Sequence, residues 1–281
     1  MSVITFVNSI EENTGKTMSL VAIATNMAIE NNNRILIIST TDKEDKIRPC
    51  YFEEQQVKKL RLGIFGENKS TLDVESGIEG IAKIARSNKL TPQLITNYTK
   101  VVFKDRLEVI LGVNKKEDLK EEIQKEYIEL INVASLYYDK IFVDLDNNIN
   151  EDIRKKIIDR SDLVVVNTSQ NYNSLKKLKE FMEKDDLLKQ PKSLILIGRY
   201  DKFSKYNIKN ITRFLEEKNQ VLTMPYNTLF FEASNEAGVP DLMLSLRKLS
   251  DQEDRNAIFV NEVKRASENI IYRLQELQMK M

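Results

Sequence analysis

The sequence has 281 residues, of which 43 are lysine or arginine and 43 are aspartate or glutamate, so its formal net charge is zero. This balance argues against a protein whose whole surface is basic enough to coat nucleic acid. The absence of histidine and the single cysteine, Cys50, exclude serine–histidine and cysteine–histidine catalysis, histidine-bound metals and an internal disulfide, and we expect Cys50 to be structural.

Short apolar runs rich in β-branched residues recur along the chain and predict strands that are covered on both faces. They are VITFV (3–7), RILII (34–38), LEVIL (107–111), KIFVD (140–144), DLVVV (162–166), SLILIG (193–198) and QVLTM (220–224). Amphipathic stretches that predict helices lie between most of these runs, at 17–31, 116–137, 150–159, 172–187 and 207–218. The alternation predicts an α/β fold in which a doubly wound, mainly parallel sheet has helices on both faces.

The longest interval between predicted strands runs from 39 to 106 and predicts a helical insertion at about 44–106. It holds a charged loop and two helical stretches, TLDVESGIEGIAKIARSNKL and TPQLITNYTKVV, which are either functional or a scaffold on the sheet. A predicted C-terminal helix at about 256–281 has a polar face of mixed charge, which favours packing on the domain or a partner helix over a membrane surface. Because no flexible linker is present, we predict one domain over 1–281.

The segment NSIEENTGKTMSL joins the first predicted strand to the first helix, which is the context that a phosphate-binding loop requires. In this interpretation Lys16 reaches the β- and γ-phosphates, the Thr17 hydroxyl holds Mg²⁺, and backbone N–H groups at the helix N-terminus surround the phosphate oxygens. Asn13 stands where such loops favour glycine, and asparagine tolerates positive φ better than other side-chain-bearing residues. The predicted nucleotide contacts from this segment are Asn13, Thr14, Gly15, Lys16, Thr17 and Met18.

An acidic residue that serves the same Mg²⁺ should end another apolar strand. In YYDKIFVDLD, Asp144 closes the run KIFV, and Asp146 follows in the loop. We predict that Asp144 binds Mg²⁺ through water, with Thr17 as the other metal ligand. The alternative is that Asp144 only caps the end of the strand.

These motifs resemble those of the ParA/MinD group of P-loop ATPases with a deviant Walker A motif, over most of residues 1–245. Glu11 to Thr17 align with the family pattern lysine-Gly-Gly-x-Gly-Lys-Thr, and YDKIFVD (138–144) is similar to its Walker B strand. SDLVVVNTSQNYNSLKKL (161–178) resembles the following strand and helix. MPYNTLFFEASNEAGVPDLM (224–243) is similar to the family's Pro-Tyr segment and later Ala-Ser-Asn-x-x-Gly-x-Pro, while GIEGIAKI with LEVILGV resembles the CpaE/TadZ pilus-assembly branch.

The resemblance implies a protein that binds ATP or ADP with Mg²⁺, forms a homodimer and positions a cellular machine of the pilus or secretion type. It also implies that Glu11, Arg199, Pro225 and Tyr226 are nucleotide-binding positions. The protein partner in such a machine is not named by the sequence. We expect a cytoplasmic protein that a partner could recruit to the membrane or a cell pole, because no signal peptide and no apolar run near the roughly 18 residues of a membrane span is present.

The sequence departs from the family at three places. Glu11 stands where relatives carry the lysine that reaches the partner subunit's phosphates, and we expect it to turn to solvent. Ser39 and Thr41 replace two aspartates, and Asp42, one residue late, is the remaining catalytic candidate. Arg199 stands where relatives often read adenine with asparagine, and it could stack on a base, pair with phosphate or lie on the surface. These changes predict nucleotide binding with slow or absent hydrolysis.

Three other functions remain open: a pseudo-ATPase scaffold, a partition factor that binds DNA non-specifically, and a metabolic enzyme such as an amidoligase. A nitrogenase-like reductase is excluded, because one cysteine cannot ligate an iron–sulfur cluster. DNA binding is not favoured, because the lysines that could carry it also fit ordinary solvated faces. These lysines are Lys176, Lys177, Lys179, Lys202, Lys205 and Lys209.

Overall fold

The computed structural model describes residues 1–9, 11–41, 45–53, 77–87, 89–112, 120–184, 190–217, 221–249, 251 and 253–280. The strands are β1 (Ser2–Asn8), β2 (Ile35–Ser39), β3 (Lys100–Phe103), β4 (Leu107–Ile110), β5 (Lys140–Asp144), β6 (Leu163–Ser169), β7 (Ser193–Tyr200) and β8 (Leu222–Pro225). The helices are α1 (Lys16–Glu30), α2 (Arg48–Tyr51), α3 (Ile78–Ala85), α4 (Pro92–Thr96), α5 (Lys120–Ala134), α6 (Glu151–Arg160), α7 (Tyr172–Lys184), α8 (Ile208–Leu215), α9 (Thr228–Ala233), α10 (Val239–Leu246) and α11 (Arg255–Met279).

The strands form an eight-stranded sheet in the order β3-β4-β2-β5-β1-β6-β7-β8. All pairings within it are parallel except that of β3 with β4. The chain passes from β1 to β2 on one side of the sheet, and β6, β7 and β8 extend it on the other side. This reversal at β1 opens a crevice at the carboxyl ends of β5, β1 and β6, which is where doubly wound sheets bind ligands. The predicted α/β fold is confirmed.

Helices cover both faces of the sheet, and successive residues of a strand point to opposite layers. In β1, Val3 and Val7 belong to the layer with α3 to α8, whereas Ile4 and Phe6 belong to the layer with α1, α10 and α11. This two-sided burial explains why the strands are continuous apolar runs in the sequence. Cys50 is fully buried in the second layer, and burial raises the pKa of its thiol, as expected for a structural cysteine.

One strand was not predicted from the sequence. The stretch TPQLITNYTKVV was assigned to a helix, but α4 ends at Thr96 and β3 begins at Lys100. β3 has four residues and lies antiparallel at the sheet edge, so it is too short to show a clear period. The predicted insertion therefore contains a strand as well as helices. Residues 54–76 of that insertion, and parts of the predicted helices 116–137 and 172–187, lie outside the described residues.

The C-terminal helix α11 packs against the domain, which is one of the two expected arrangements; the other was packing on a partner helix. Its apolar side joins the layer of α1, where Asn26 Nδ2 donates a hydrogen bond of 3.1 Å to Ser267 Oγ. Tyr272 and Met279 are exposed on its outer side. Among the residues that the structure describes, no helix combines the length and apolar character needed to cross a membrane.

Candidate functional site

The chain between β1 and α1 forms a tight loop, the β1–α1 loop (residues 9–15), in which Ile10 lies outside the described residues. Asn13 and Gly15 have φ values of 60° and 86°, in the left-handed region that asparagine and glycine tolerate best. Gly15 is the N-cap of α1, and no side chain caps the helix. The first N–H groups of a 15-residue helix are thus available to bind an anion.

Two neighbouring elements hold this loop. Thr14 Oγ1 donates a hydrogen bond of 2.6 Å to Asn8 Oδ1 at the end of β1. On the other side Gly198 of β7 lies against the loop so closely that a Cβ there would be 2.0 Å from the Thr14 carbonyl oxygen. Any larger residue at 198 would displace the loop, so the absence of a side chain at Gly198 sets the position of the loop.

The first residues of α1 meet the end of β5. Lys16 Nζ lies 2.8 Å from Asp144 Oδ1 and also donates to the Leu145 carbonyl oxygen. Thr17 Oγ1 donates a hydrogen bond of 2.8 Å to Asp144 Oδ2. Lys16 and Asp144 are 8% and 7% exposed, so they form a buried charge pair at the carboxyl end of the sheet, and Thr17 binds the same carboxylate.

A cavity of about 320 Å³ lies over this cluster, within the size range of small-molecule sites. Its lining combines cations, acids and polar groups from the β1–α1 loop, the segments after β2 and β5, and the end of β7. The lining residues are Asn8, Glu12, Asn13, Thr14, Gly15, Lys16, Thr17, Met18, Thr41, Lys46, Asp144, Asp146, Asn147, Asn148 and Arg199. The structure thus brings the predicted loop residues, Asp144 and Arg199 to one site.

Solved structures with the same architecture share this arrangement of sheet and helices. A ParA family ATPase from Chlorobium tepidum TLS superposes with a TM-score of 0.66 at 15% identity, over 92% of this chain and 95% of that one. This chain has the ParA/MinD fold. A putative plasmid partition protein from Borrelia burgdorferi B31 bound to AMPPNP is similar with a TM-score of 0.57 at 19% identity, over 98% of both chains.

A third structure, the septum site-determining protein MinD complexed with Mg-ADP from Pyrococcus horikoshii OT3, is similar with a TM-score of 0.61 at 12% identity, over 93% of each chain. At the level of sequence, no protein-family model matches this chain and no curated protein is similar to it. The likeness therefore concerns the ParA/MinD fold, and what the site does must be argued from its own residues.

The residues present in this ParA/MinD fold fit a nucleotide phosphate with Mg²⁺. Asp144 Oδ1 lies 2.8 Å from Lys16 Nζ and has no other hydrogen-bond donor among the described residues, so one of its lone pairs is left for a water or a cation. Mg²⁺ prefers oxygen ligands and keeps several waters. In the described part of the chain, no group of three or more acidic, cysteine or histidine side chains could hold a metal by itself. Thr17 and Asp144 would therefore hold Mg²⁺ together with phosphate oxygens.

Glu11 has a different position from the one expected. It was expected to turn to solvent, but it lies against α7, where Ser174 Oγ donates to its carboxylate and Lys177 Nζ is 2.9 Å from Oε1. The hydrogen bond from Ser174 is the main cause that lowers the pKa of Glu11, and Lys177 adds to it. Glu11 does not line the cavity, and its carboxylate is paired with Lys177 of α7.

Pro225 and Tyr226 also lie outside the cavity lining. Pro225 ends β8 at the sheet edge and Tyr226 follows it; Tyr226 is 57% exposed, and its ring centroid lies 6.2 Å from that of Phe231. The structure therefore does not bring them to the loop and Asp144. Arg199 does line the cavity, and its positive φ of 52° lies within β7, where the pairing with β8 is irregular between Gly198 and Tyr200.

Of the segment between β2 and α2, the structure describes residues 40, 41 and 45 to 47. Ser39 is buried, with a hydroxyl that has no hydrogen-bond partner among the described residues, and Thr41 lines the cavity. Asp42, the catalytic candidate, lies outside the described residues. Asp45, which is not among the predicted site residues, accepts hydrogen bonds from the N–H groups of Gly112 at 2.7 Å and Ile47 at 2.9 Å. Burial raises the pKa of Asp45, and the Asp144 charge adds to this effect.

Several residues of the site were missed by the sequence analysis because nothing in their local pattern marks them. They come from loops whose positions depend on the packed sheet, and only Glu12 adjoins a recognised motif closely enough to have been included. The missed lining residues are Asn8, Glu12, Lys46, Asn147 and Asn148.

Proposed function

We propose that this protein is a ParA/MinD-like protein with a deviant Walker A loop that binds ATP or ADP with Mg²⁺. We further propose that it hydrolyses ATP slowly or not at all and helps to position or assemble a cellular machine. The observation that carries the proposal is the contact of Lys16 and Thr17 with Asp144 beneath a cavity lined by the β1–α1 loop. Similar folds whose structures contain AMPPNP or Mg-ADP support the choice of ligand.

Different residues of the site would bind the phosphates, the Mg²⁺ and the base of the nucleotide. Lys16 would exchange its contacts with Asp144 and the Leu145 carbonyl for phosphate oxygens, and the N–H groups of the first turn of α1 would bind further oxygens. Thr17 and Asp144 would hold Mg²⁺, which neutralises phosphate charge when bound. Arg199, next to the loop, would bind either phosphate or the face of the base.

The proposed slow hydrolysis is supported by the described residues after β2, which offer no free carboxylate to the cavity. Phosphoryl transfer depends on positioned charges and on a group that orients the attacking water. Ser39 and Thr41 offer hydroxyls, which are poor bases at neutral pH. The Asp45 carboxylate is occupied by two backbone N–H groups, and Glu11 is bound to α7. The residues proposed for nucleotide binding are therefore present, whereas the described residues after β2 supply no free carboxylate to activate the water.

Calorimetric titration with ATP and ADP in the presence of Mg²⁺, followed by a phosphate-release assay, tests this proposal. We expect both nucleotides to bind, turnover of about 10⁻³ s⁻¹ or less, and an affinity loss of roughly 10- to 100-fold in Lys16→Ala. Absence of binding by the wild-type protein would overturn the nucleotide function. Fast turnover that Lys16→Ala abolishes would overturn the proposed slow hydrolysis and point to Asp42.

We also propose a homodimer and a role closest to the CpaE/TadZ pilus-assembly branch, with an unidentified protein partner. The dimer can be tested at Glu11, because a lysine there would restore the charge that relatives carry. Glu11→Lys should be combined with Lys177→Met, since Lys177 would otherwise repel the new cation. We expect ATP-dependent association, measured by light scattering, to strengthen in the double variant and not in Glu11→Gln. No change would show that the dimer surface has diverged.

DNA partition is a second candidate function, because the similar Borrelia burgdorferi structure is a putative plasmid partition protein and spans nearly the whole chain. The charges disfavour it: Lys177 pairs with Glu11, Lys179 with Glu216, and Lys176 lies 4.0 Å from Glu180. A gel shift with plasmid DNA over a range of salt concentrations separates the two functions. Salt-dependent binding that Lys202→Ala and Lys205→Ala weaken would favour partition.

A further inference from the structure

Two residues described after β2, Thr41 and Lys46, line the same cavity as Thr17 and Asp144. β2 lies beside β5 in the sheet, with Ser39 opposite Asp144. Thr40 continues this contact, since its N–H and its hydroxyl both reach the Asp144 carbonyl oxygen, at 3.2 Å and 3.1 Å. Residues that follow Thr40 are therefore near the Thr17–Asp144 end of the cavity, and Thr41 and Lys46 line it.

The backbone around Lys46 is held on both sides. The Asp45 carboxylate binds the N–H groups of Gly112 and Ile47, and Ile47 is fully buried in the core. The Lys46 carbonyl oxygen accepts a hydrogen bond of 3.2 Å from Cys50 Sγ. A Cβ on Gly112 would be 2.5 Å from the Thr41 carbonyl oxygen, so this part of the chain packs tightly against the end of β4. The position of Lys46 is thus set by buried contacts.

Lys46 itself, in contrast, is exposed and lines the cavity. Within the described ranges, no acidic side chain forms an ion pair with it. An ammonium group without an acidic partner beside a phosphate site is a suitable donor for a charge-assisted hydrogen bond. Lys16 occupies the β1–α1 side of the same cavity, so Lys46 adds a second cation from the opposite side.

Thr17 and Asp144 would hold Mg²⁺ at their end of the cavity, and Mg²⁺ held there would neutralise charge on the terminal phosphates of a nucleotide, so these phosphates would lie at that end. We infer that Lys46 binds the terminal phosphate of a Mg²⁺-bound nucleoside triphosphate from within the same chain. The β1–α1 loop has a glutamate at position 11 in place of a cation. Lys46 supplies a cation from another segment. This inference rests on the proposed function, since it needs a nucleotide in the cavity.

The experiment measures affinities for ATP, ADP and tripolyphosphate with Mg²⁺, by calorimetry, for the wild-type protein, Lys46→Met and Lys46→Arg. We expect Lys46→Met to weaken ATP and tripolyphosphate about tenfold or more and ADP less than about threefold, and we expect Lys46→Arg to retain most of the affinity. Lys156→Met, an exposed lysine late in α6, is the matched control for a change in net charge. Thermal unfolding of each variant verifies that the fold is kept.

The outcomes separate this inference from the proposed function. If the wild-type protein binds ATP and Lys46→Met binds it equally well, the inference is overturned and the proposed function stands. Equal losses for ATP and ADP, or an equal loss in Lys156→Met, also overturn the assignment to the terminal phosphate. If the wild-type protein binds neither nucleotide, the proposed function fails and the inference fails with it.

Discussion

Two lysine–carboxylate pairs flank the β1–α1 loop, and they differ in burial although their distances are nearly equal. Lys16 and Asp144 are 2.8 Å apart, with side chains 9% and 8% exposed. Lys177 and Glu11 are 2.9 Å apart, with side chains 51% and 26% exposed. The first pair lies within the cavity lining, and the second joins the loop to α7 outside it.

The comparison shows that burial, and not separation, decides what each pair contributes. Water screens an exposed pair, which typically contributes about 0.2–1 kcal/mol. Removing one partner of a buried pair leaves an uncompensated charge and costs about 3–5 kcal/mol. The Lys16–Asp144 pair is therefore costly to break unless a ligand replaces a partner, as a phosphate with Mg²⁺ would do. The Glu11–Lys177 pair, more exposed, contributes less.

The largest effect is expected when the buried pair is broken. Lys16→Met and Asp144→Asn should each lower the free energy of unfolding by about 3–5 kcal/mol, and the double variant should lose less than the sum, because no unpaired charge remains. Urea unfolding of the four proteins in the cycle measures this. Additive losses would show that the two side chains are not coupled.

A smaller effect is expected from Gly198→Ala. The new Cβ would meet the Thr14 carbonyl oxygen at 2.0 Å, so the loop must shift, at a cost of about 1–3 kcal/mol in unfolding free energy and with weaker ATP binding. Gly238→Ala is the control, since its nearest contact would be 3.4 Å from Ala233 Cβ. Thermal unfolding and ATP titration check both variants. An unchanged ATP affinity in Gly198→Ala would contradict the role of this close approach.

The exposed pair should give a still smaller effect. In a cycle of Glu11→Gln and Lys177→Met, we expect a coupling below about 1 kcal/mol in unfolding free energy, and we expect it to decrease with added salt. Lys176→Met serves as a control, since Lys176 lies 4.0 Å from Glu180 on the same helix. A coupling as large as that of Lys16 and Asp144 would remove the distinction between the two pairs.

The smallest effect concerns pH. Hydrogen bonds from Ser174 and Lys177 lower the pKa of Glu11 from its ordinary value of 4.5. A carboxyl with a lowered pKa in the folded state contributes stability above pH 4.5, and this contribution is lost as the pH falls through the folded-state pKa. The stability difference between the wild-type protein and Glu11→Gln should thus be constant near neutral pH and decrease in acid. Denaturation at several pH values measures it, and a difference that grows in acid would contradict the assignment.

Much of the fold could be predicted from the sequence, because covered parallel strands are continuous apolar runs and the helices between them are amphipathic. The predicted KIFVD (140–144) coincides with β5 (Lys140–Asp144). β3 was missed because a four-residue edge strand at Lys100–Phe103 carries too little pattern to separate it from the preceding helix.

The candidate site also contains residues that the sequence could place and residues that it could not. Lys16, Thr17 and Asp144 could be placed because each adjoins a strand end in a recognisable motif. Lys46 could not, since its place at the cavity depends on the hydrogen bond that neighbouring Asp45 accepts from Gly112, a residue far along the chain. Local spacing does not report such contacts.

The sequence by itself determined the strand–loop–helix order, the two-sided burial of the strands and the chemistry of the β1–α1 loop, because these depend on residues close together in the chain. Only the tertiary structure decided that Glu11 binds Ser174 and Lys177, that Gly198 lies against Thr14, and that Lys46 reaches the cavity. Those contacts join distant segments, and the packing of helices on a shared sheet sets which segments meet.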